Sequence, residues 1–382
     1  MIPRDPLSGR RILVLSPDRW GAMHLSKHHY ALALAERGNE VLFLQPAEPT
    51  PTAPRVERVE GGVRVVTWSG SSSLRLRYHA RFVHDALYRR SVGNVLSAIG
   101  GPPDVVWCFE TNVFSDLRVF RAPVRIYHPV DAVFGPQQRT LARSAQLVLS
   151  VAPEILNAIP LGGARGHILN HGLSEEFARF ARDRDPEPRR AGPVRVGFIG
   201  SLFKEKLAHT AMRRIIEEHP DVEFHIWSPL ALSASNVAGL ESAPRTQFVR
   251  HLGTLANVRL HGLQRPADVA RAVQSLDLFL FCDRGNAWNS HKLLEYLSTG
   301  KPVVSMPVSR YRGSALIEMT ASDDDDEFRA LFARSLENLD SLSAPAAQRA
   351  RMTFALEQTY ARQIDRISAL LAESLVKSTA SA

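Results

Sequence analysis

Only two cysteines occur in 382 residues, Cys108 and Cys282. Each sits inside an apolar run, VVWCFE or DLFLFC, of the kind that forms a buried strand. That excludes a disulfide framework and fits a reducing compartment, with both thiols in the core. No apolar stretch approaches the roughly twenty residues that a bilayer-spanning helix needs. The opening MIPRDPLSGRR lacks the apolar segment of a secretory signal. The expectation is a cytoplasmic protein, peripheral to the inner face of a membrane if it touches one. Also missing is a tight G-x-G-x-x-G turn after the first strand. SPDRWGAM stands there instead, which removes the main phosphate-binding device of a dinucleotide-dependent dehydrogenase.

Charge is present but unspecific. Forty-seven Lys and Arg against 39 Asp and Glu leave a formal charge of +8, which favours anionic surfaces without naming one. The basic residues are dispersed and accompany no nucleic-acid recognition motif, so nucleic acid is not an expected partner. Arg75, Arg77, Arg81, Arg89 and Arg90 are interleaved with Leu, Tyr and Phe in residues 74–90. That pattern reads either as a segment lying on an anionic membrane or as a solvated helix face.

What fills the chain is a succession of short apolar runs alternating with helical periodicity. RILVLS, a polar loop, SKHHYALALAER and EVLFL make a strand, helix, strand unit of the type that builds parallel sheets. After a charged, proline-rich stretch (GLSEEFARFARDRDPEPRRAGP) the pattern restarts with VRVGFI, a helix across 210–218 and EFHIW. The length exceeds what one core usually serves. The expected fold is therefore α/β, two Rossmann-like doubly wound domains facing across a cleft that holds the site. Boundaries are placed at 1–189 and 190–352. An amphipathic helix and polar tail over 353–382 is expected to pack back on the first domain. The run ASDDDDE (321–327) reads as a solvated loop or helix N-terminus in preference to a hard-cation site.

The segment DRGNAWNSHKLLEYLSTGKPVVSMP follows a buried strand, so its polar residues lie at the carboxyl end of a parallel sheet, where ligands bind in such folds. Asn289 and Ser290 are N-cap residues for a helix bearing Lys292 and Glu295 one turn apart, and Gly300 closes it. The amides and dipole of such a helix accept a diphosphate. Lys292 supplies a point charge, and the Glu295 carboxylate accepts hydrogen bonds from the vicinal hydroxyls of a ribose. An exposed intrahelical ion pair is the bland alternative.

This segment, through Lys292, Glu295, Tyr296, Gly300, Lys301, Pro302, Val303 and Val304, resembles the donor-site motif of group 1 GT-B glycosyltransferases (glycosyltransferase family 4-like). Weaker correspondences fall in order along the chain: Ser16 to Gly38 with the family's acceptor loop and first helix, ILNHGLSEEF with its Asn-Gly-Val-Asp…Phe turn, and Thr353 to Leu370 with its closing helix. The resemblance implies transfer of a sugar from a nucleotide-diphosphate donor to a hydroxyl acceptor, a saccharide or lipid-linked saccharide, in polysaccharide or glycoconjugate synthesis. It implies no metal and no cofactor beyond the donor as co-substrate. It places Asn289, Ser290, Lys292, Leu293 and Glu295 at the donor. Gly200, Ser201, Lys204 and Lys206 stand where the family's Gly-Arg pair and later Lys meet the diphosphate, and Gly21 stands in the loop that approaches donor or acceptor. The family's first glutamate, eight positions before Glu295, is here Ala287. Asp283 and Asn286 are the candidates to meet the sugar in its place, and retaining or inverting chemistry stays open.

In the first half, VRIYHPVD puts His128 and Asp131 at the end of a strand, a pair suited to deprotonating an acceptor hydroxyl or stabilising an oxocarbenium-like transition state. Asp131 is the expected base. His24, His28 and His29 mix loop and helix without a clear further ligand, which argues against zinc. A catalytically silent scaffold of the same fold that binds sugar or a partner protein is the competing reading, motivated by Ala287.

Overall fold

The computed structural model describes residues 5–21, 24–70, 81–131, 136–162, 164–189, 191–230, 243–285 and 287–379. Asn286, Arg75 and Arg77 lie outside the described residues, as does the side chain of Arg81. The chain forms two compact units, one of Met1–Asn170 with Tyr360–Ala382, the other of His171–Thr359.

The first unit is built on strands β1 (Arg11–Leu15), β2 (Glu40–Leu44), β3 (Arg55–Arg58), β4 (Arg64–Thr67), β5 (Val105–Cys108), β6 (Val124–Tyr127), β7 (Leu147–Ser150) and β8 (Arg165–Ile168). They pair in the order β3-β4-β2-β1-β5-β6-β7-β8, parallel throughout except for β3 against β4. Ile12, Leu13, Val14 and Leu15 are all buried, so β1 is covered on both faces. That is why it reads as a continuous apolar run and not an alternating one. The helix Ser26–Glu36 buries Tyr30, Ala31 and Leu34 against this sheet, and Gly38, at φ 77°, turns the chain back into β2. The last helix, Tyr360–Thr379, joins the same core through Tyr360, Ile364, Ile367 and Leu371, a stripe at helical spacing.

The second unit contains β9 (Arg195–Ile199), β10 (Glu223–Trp227), β11 (Val258–Leu260), β12 (Leu278–Phe281), β13 (Val303–Ser305) and β14 (Glu318–Met319) in the order β11-β10-β9-β12-β13-β14, all parallel. The order runs outward from β9 in one direction and restarts at β12 in the other, so the switch point lies between these two strands. Gly197 makes that central pairing possible. A Cβ there would stand 2.4 Å from Leu276 Cδ1 and 2.9 Å from the Phe279 ring.

The division falls at 170/171, ahead of the charged stretch from which the sequence reading places it at 190. The reason is the helix Glu175–Arg182: it has a charged outer face, yet Phe177, Ala178 and Ala181 are buried. Phe177 and Ala178 share a core with Trp227, Leu293 and Leu297. The helix belongs to the second unit. On the other side, the chain returns to the first unit at Tyr360, not 353, because the helix Pro345–Leu356 packs on the helix His291–Ser298.

Candidate donor site

At the carboxyl end of β9 the chain turns through Gly200, whose amide donates to the Trp227 carbonyl at 2.9 Å. Ser201 follows and starts a tight loop, its hydroxyl accepting from the Phe203 amide at 3.2 Å. At the end of β12 stands Asp283, paired to Leu207 in a short antiparallel bridge. Lys204 reaches across to it, Nζ to Oδ2 at 2.6 Å. The Arg284 amide donates to the Lys206 carbonyl at 2.6 Å, and the Lys206 side chain lies along Gly285. The two loops that leave the switch point are thus stitched together before the helix that carries Lys292 and Glu295 begins.

That helix, His291–Ser298, starts at Ser290 in extended conformation, and its N-cap side chain makes no capping bond. Asn289 Oδ1 instead accepts from the Ser290 amide at 2.8 Å, and the Leu293 amide reaches the Ser290 carbonyl at 3.3 Å. Leu293 is fully buried with Leu294 and Leu297, so its side chain packs the core and does not meet a ligand. Lys292 and Glu295 are half-buried. A Cβ on Gly200 would lie 3.8 Å from Lys292 Cε, so the lysine stem runs beside the glycine turn. Burial lowers the Lys292 ammonium below its usual value, against the pull of Glu295. Burial also pushes the Glu295 carboxyl up to about 7, with Lys292 opposing and Glu176 reinforcing the shift. Tyr296 stacks on Phe279 of β12, ring centroids 4.4 Å apart. Gly300 ends the helix at φ 75°, and Arg351 donates to its carbonyl at 3.1 Å.

The acidic run is a helix N-terminus that also braces this site. Asp324 caps the helix Asp325–Glu337 by accepting from the Glu327 amide at 2.7 Å. Asp323 accepts from the Gly285 amide at 2.9 Å, and Asp325 pairs with Arg284. Ala287, where the resemblance expects glutamate, is held by backbone pairing, its carbonyl accepting from the Ser309 amide at 2.9 Å.

These pieces have solved counterparts. The structure is similar to that of HepE from Anabaena in complex with UDP and glucose, at 16% identity and a TM-score of 0.62 over 96% of this chain and 99% of that one. It is similar to the UDP-forming α,α-trehalose-phosphate synthase of Burkholderia vietnamiensis, at 13% identity, TM-score 0.63, and 96% and 100% coverage. It is also similar to sucrose-phosphate synthase of Thermosynechococcus elongatus, at 11% identity, TM-score 0.61, and 97% and 99% coverage. The fold is GT-B. No protein-family profile and no curated sequence matches the chain, so the likeness is one of architecture. Within the GT-B fold, the residues gathered at the β9/β12 switch point are Gly200, Ser201, Lys204, Lys206, Asp283, Lys292 and Glu295.

In the first GT-B unit, Asp131 is exposed at the end of the loop after β6, and Gly21 is exposed with open space around its Cα. His128 is placed differently from its expected role. It is fully buried, packed by Tyr30, Trp107 and Phe109, and its Nδ1 accepts from Trp107 Nε1 at 3.4 Å. An imidazole enclosed in this way packs the core and does not touch a solute. Of the other histidines, His24 meets Glu60 at 3.0 Å and His29 stacks on Tyr360. His28 Nδ1 accepts from the Leu25 amide at 3.0 Å, so its proton sits on Nε2 and is given to the Arg19 carbonyl. Burial holds His28 neutral, its pKa lowered to about 4.

Among the described residues no helix is long and apolar enough to cross a membrane. Two further features carry weight in the structure: the pairing of Lys204 with Asp283, and Glu176. The Lys204–Asp283 pair joins residues far apart in sequence and has no local signature. Glu176 hides in the charged stretch, although the apolar spacing of Phe177, Ala178 and Ala181 around it is a helical signal.

Proposed function

We propose that this chain is a glycosyltransferase that moves a sugar from a nucleoside-diphosphate donor to a hydroxyl acceptor. One observation carries the reading: Lys292 and Glu295 sit half-buried on the helix that starts at the β9/β12 switch point, with the Lys292 stem beside Gly200. The helix N-terminus and Lys292 meet the diphosphate, Gly200 lets the backbone approach it, and Glu295 takes the ribose. Lys204, now paired with Asp283, is a second cation within reach of that position. Catalysis is then positioning plus stabilisation of the departing diphosphate by fixed positive groups, without a metal. The UDP-bound and UDP-forming neighbours support a nucleotide-sugar donor. Asp131 is the candidate base toward the acceptor, a saccharide or lipid-linked saccharide in glycoconjugate or polysaccharide synthesis.

Assays of nucleoside diphosphate release and sugar transfer from UDP- and GDP-sugars test the reading, with loss in Glu295→Ala and Asp131→Ala expected. No turnover and no nucleotide binding across the panel would sink it. The alanine at 287 favours a second reading, a silent GT-B scaffold, and nucleotide binding without turnover would select that one.

Contact with an anionic membrane is part of the proposal. On the helix Arg81–Ala98, Val83 and Leu87 are 46% and 37% exposed one turn apart, near the exposed Arg89 and Arg90. Sedimentation with anionic vesicles that is unaffected by Arg89→Glu and Arg90→Glu would count against it.

A further inference from the structure

The donor helix does not carry the only carboxylate at its ribose end. The helix Glu175–Arg182 packs against His291–Ser298, with Phe177 and Ala178 in one core with Leu293, Leu294 and Leu297. Glu176, between the exposed Glu175 and the buried Phe177, is half-buried. Its neighbour Glu175 is already engaged by Arg182 through both guanidinium nitrogens. Glu176 Oε2 is itself buried and accepts no hydrogen bond among the described residues. A buried carboxylate oxygen without a donor costs on the order of 1–3 kcal/mol, more when charged, and calls for a donor from water or a ligand.

The surroundings say what would complete it. Glu176 is close enough to Glu295 to disfavour that carboxylate's charge. A carboxylate on each of two packed helices, accepting hydrogen bonds when ionised, is complementary to a group that offers two adjacent O–H donors. Lys292 lies one turn before Glu295 on the same helix, roughly 5 Å along the axis. Its stem runs beside Gly200, and it makes no hydrogen bond to Glu176 Oε2. His171, buried edge-on to His291, is held neutral by burial, its pKa lowered to about 4, and brings no positive charge to the pair.

We propose that Glu176 is a second ribose-binding residue of the donor site, taking one hydroxyl of the vicinal diol while Glu295 takes the other. This rests on the donor-site reading above. It makes the site selective for ribonucleotides over nucleotides that lack the diol, because each missing hydroxyl leaves a buried carboxylate oxygen unmatched.

Calorimetric titration with UDP, GDP and their 2′,3′-dideoxy forms tests it, on the wild type, Glu176→Ala and Glu176→Gln. The wild type is expected to prefer the ribonucleotide. Glu176→Ala should weaken binding of the ribonucleotide about ten- to a hundredfold, the worth of a hydrogen bond to a charged group, and leave the dideoxy form unchanged. Glu176→Gln, which keeps the shape and one acceptor, should fall between and serves if the alanine variant does not fold. Equal losses for both nucleotide forms, or no loss for either, would overturn the role of Glu176 while leaving the donor site intact. A wild type that binds neither UDP nor GDP would overturn both.

Discussion

The Tyr296 hydroxyl is bound twice to Ile199: it accepts from the Ile199 amide at 2.8 Å and donates to the Ile199 carbonyl at 3.3 Å. Ile199 is the last residue of β9 and precedes Gly200. One side chain therefore fixes the helix that carries Lys292 and Glu295 to the strand end that supplies the glycine turn. Tyr296→Phe keeps the stacking on Phe279 but leaves that amide without its partner. It should cost about 1–3 kcal/mol of stability and weaken nucleoside diphosphate binding several-fold. Urea denaturation and calorimetric titration read the two effects, and a variant unchanged in both would show that the link does not position the site.

Gly197 lies where β9 meets β12. Gly197→Ala forces a methyl toward Leu276 and Phe279, both buried and without room to withdraw. Overpacking of this kind costs about 1–3 kcal/mol, so the midpoint of urea unfolding should drop. An unchanged midpoint would mean that the sheet yields at its switch point.

Arg351 is buried and donates to the carbonyls of Leu316 at 3.1 Å, Gly300 at 3.1 Å and Leu342 at 2.7 Å. Burial lowers its pKa to about 10, so it is charged at neutral pH. Arg351→Met fills much of the space but strands three acceptors, one of them at the end of the helix His291–Ser298. The expected loss is about 3 kcal/mol, seen as a lower melting temperature. A variant as stable as the wild type would contradict the capping role.

Glu295 gives a pH signature. Its folded pKa, about 7, lies above the ordinary carboxylate value, so the folded chain holds a proton that the unfolded chain has released. Its contribution to stability is full below about pH 4.5 and disappears as pH rises through 7. Glu295→Gln removes this dependence and should raise stability at pH 8, on the order of 2 kcal/mol, while abolishing nucleotide binding. At pH 4 the stabilisation should be absent. Chemical denaturation at both pH values checks it, and equal effects at the two would refute the assignment.

Much of this architecture is legible because parallel strands covered on both faces leave near-continuous apolar runs: RILVL, EVLFL, VVWC and LFLF are all strands. The edge strand Arg55–Arg58, paired on one side and with three of its four residues charged, carries no such signal. Lys292, Glu295 and Gly300 are legible together because one short helix holds them. Glu176 and the Lys204–Asp283 pair are not, since the partners come from distant segments and only folding brings them together. His128 shows the converse. Its place at a strand end is visible in sequence, but its burial behind Tyr30 and Trp107 depends on packing that no local pattern records.

The central claim is that the β9/β12 switch point holds a nucleoside diphosphate through Lys292 and Glu295. Thermal unfolding of the wild type, Lys292→Ala and Glu295→Ala with UDP, GDP and their sugar conjugates tests it most directly, because a ligand that binds only the folded state raises the melting temperature. At least one nucleotide should stabilise the wild type by several degrees, roughly the effect of ligand at a hundredfold its Kd, and stabilise neither variant. No shift with any nucleotide, or shifts of the same size in all three proteins, would contradict it.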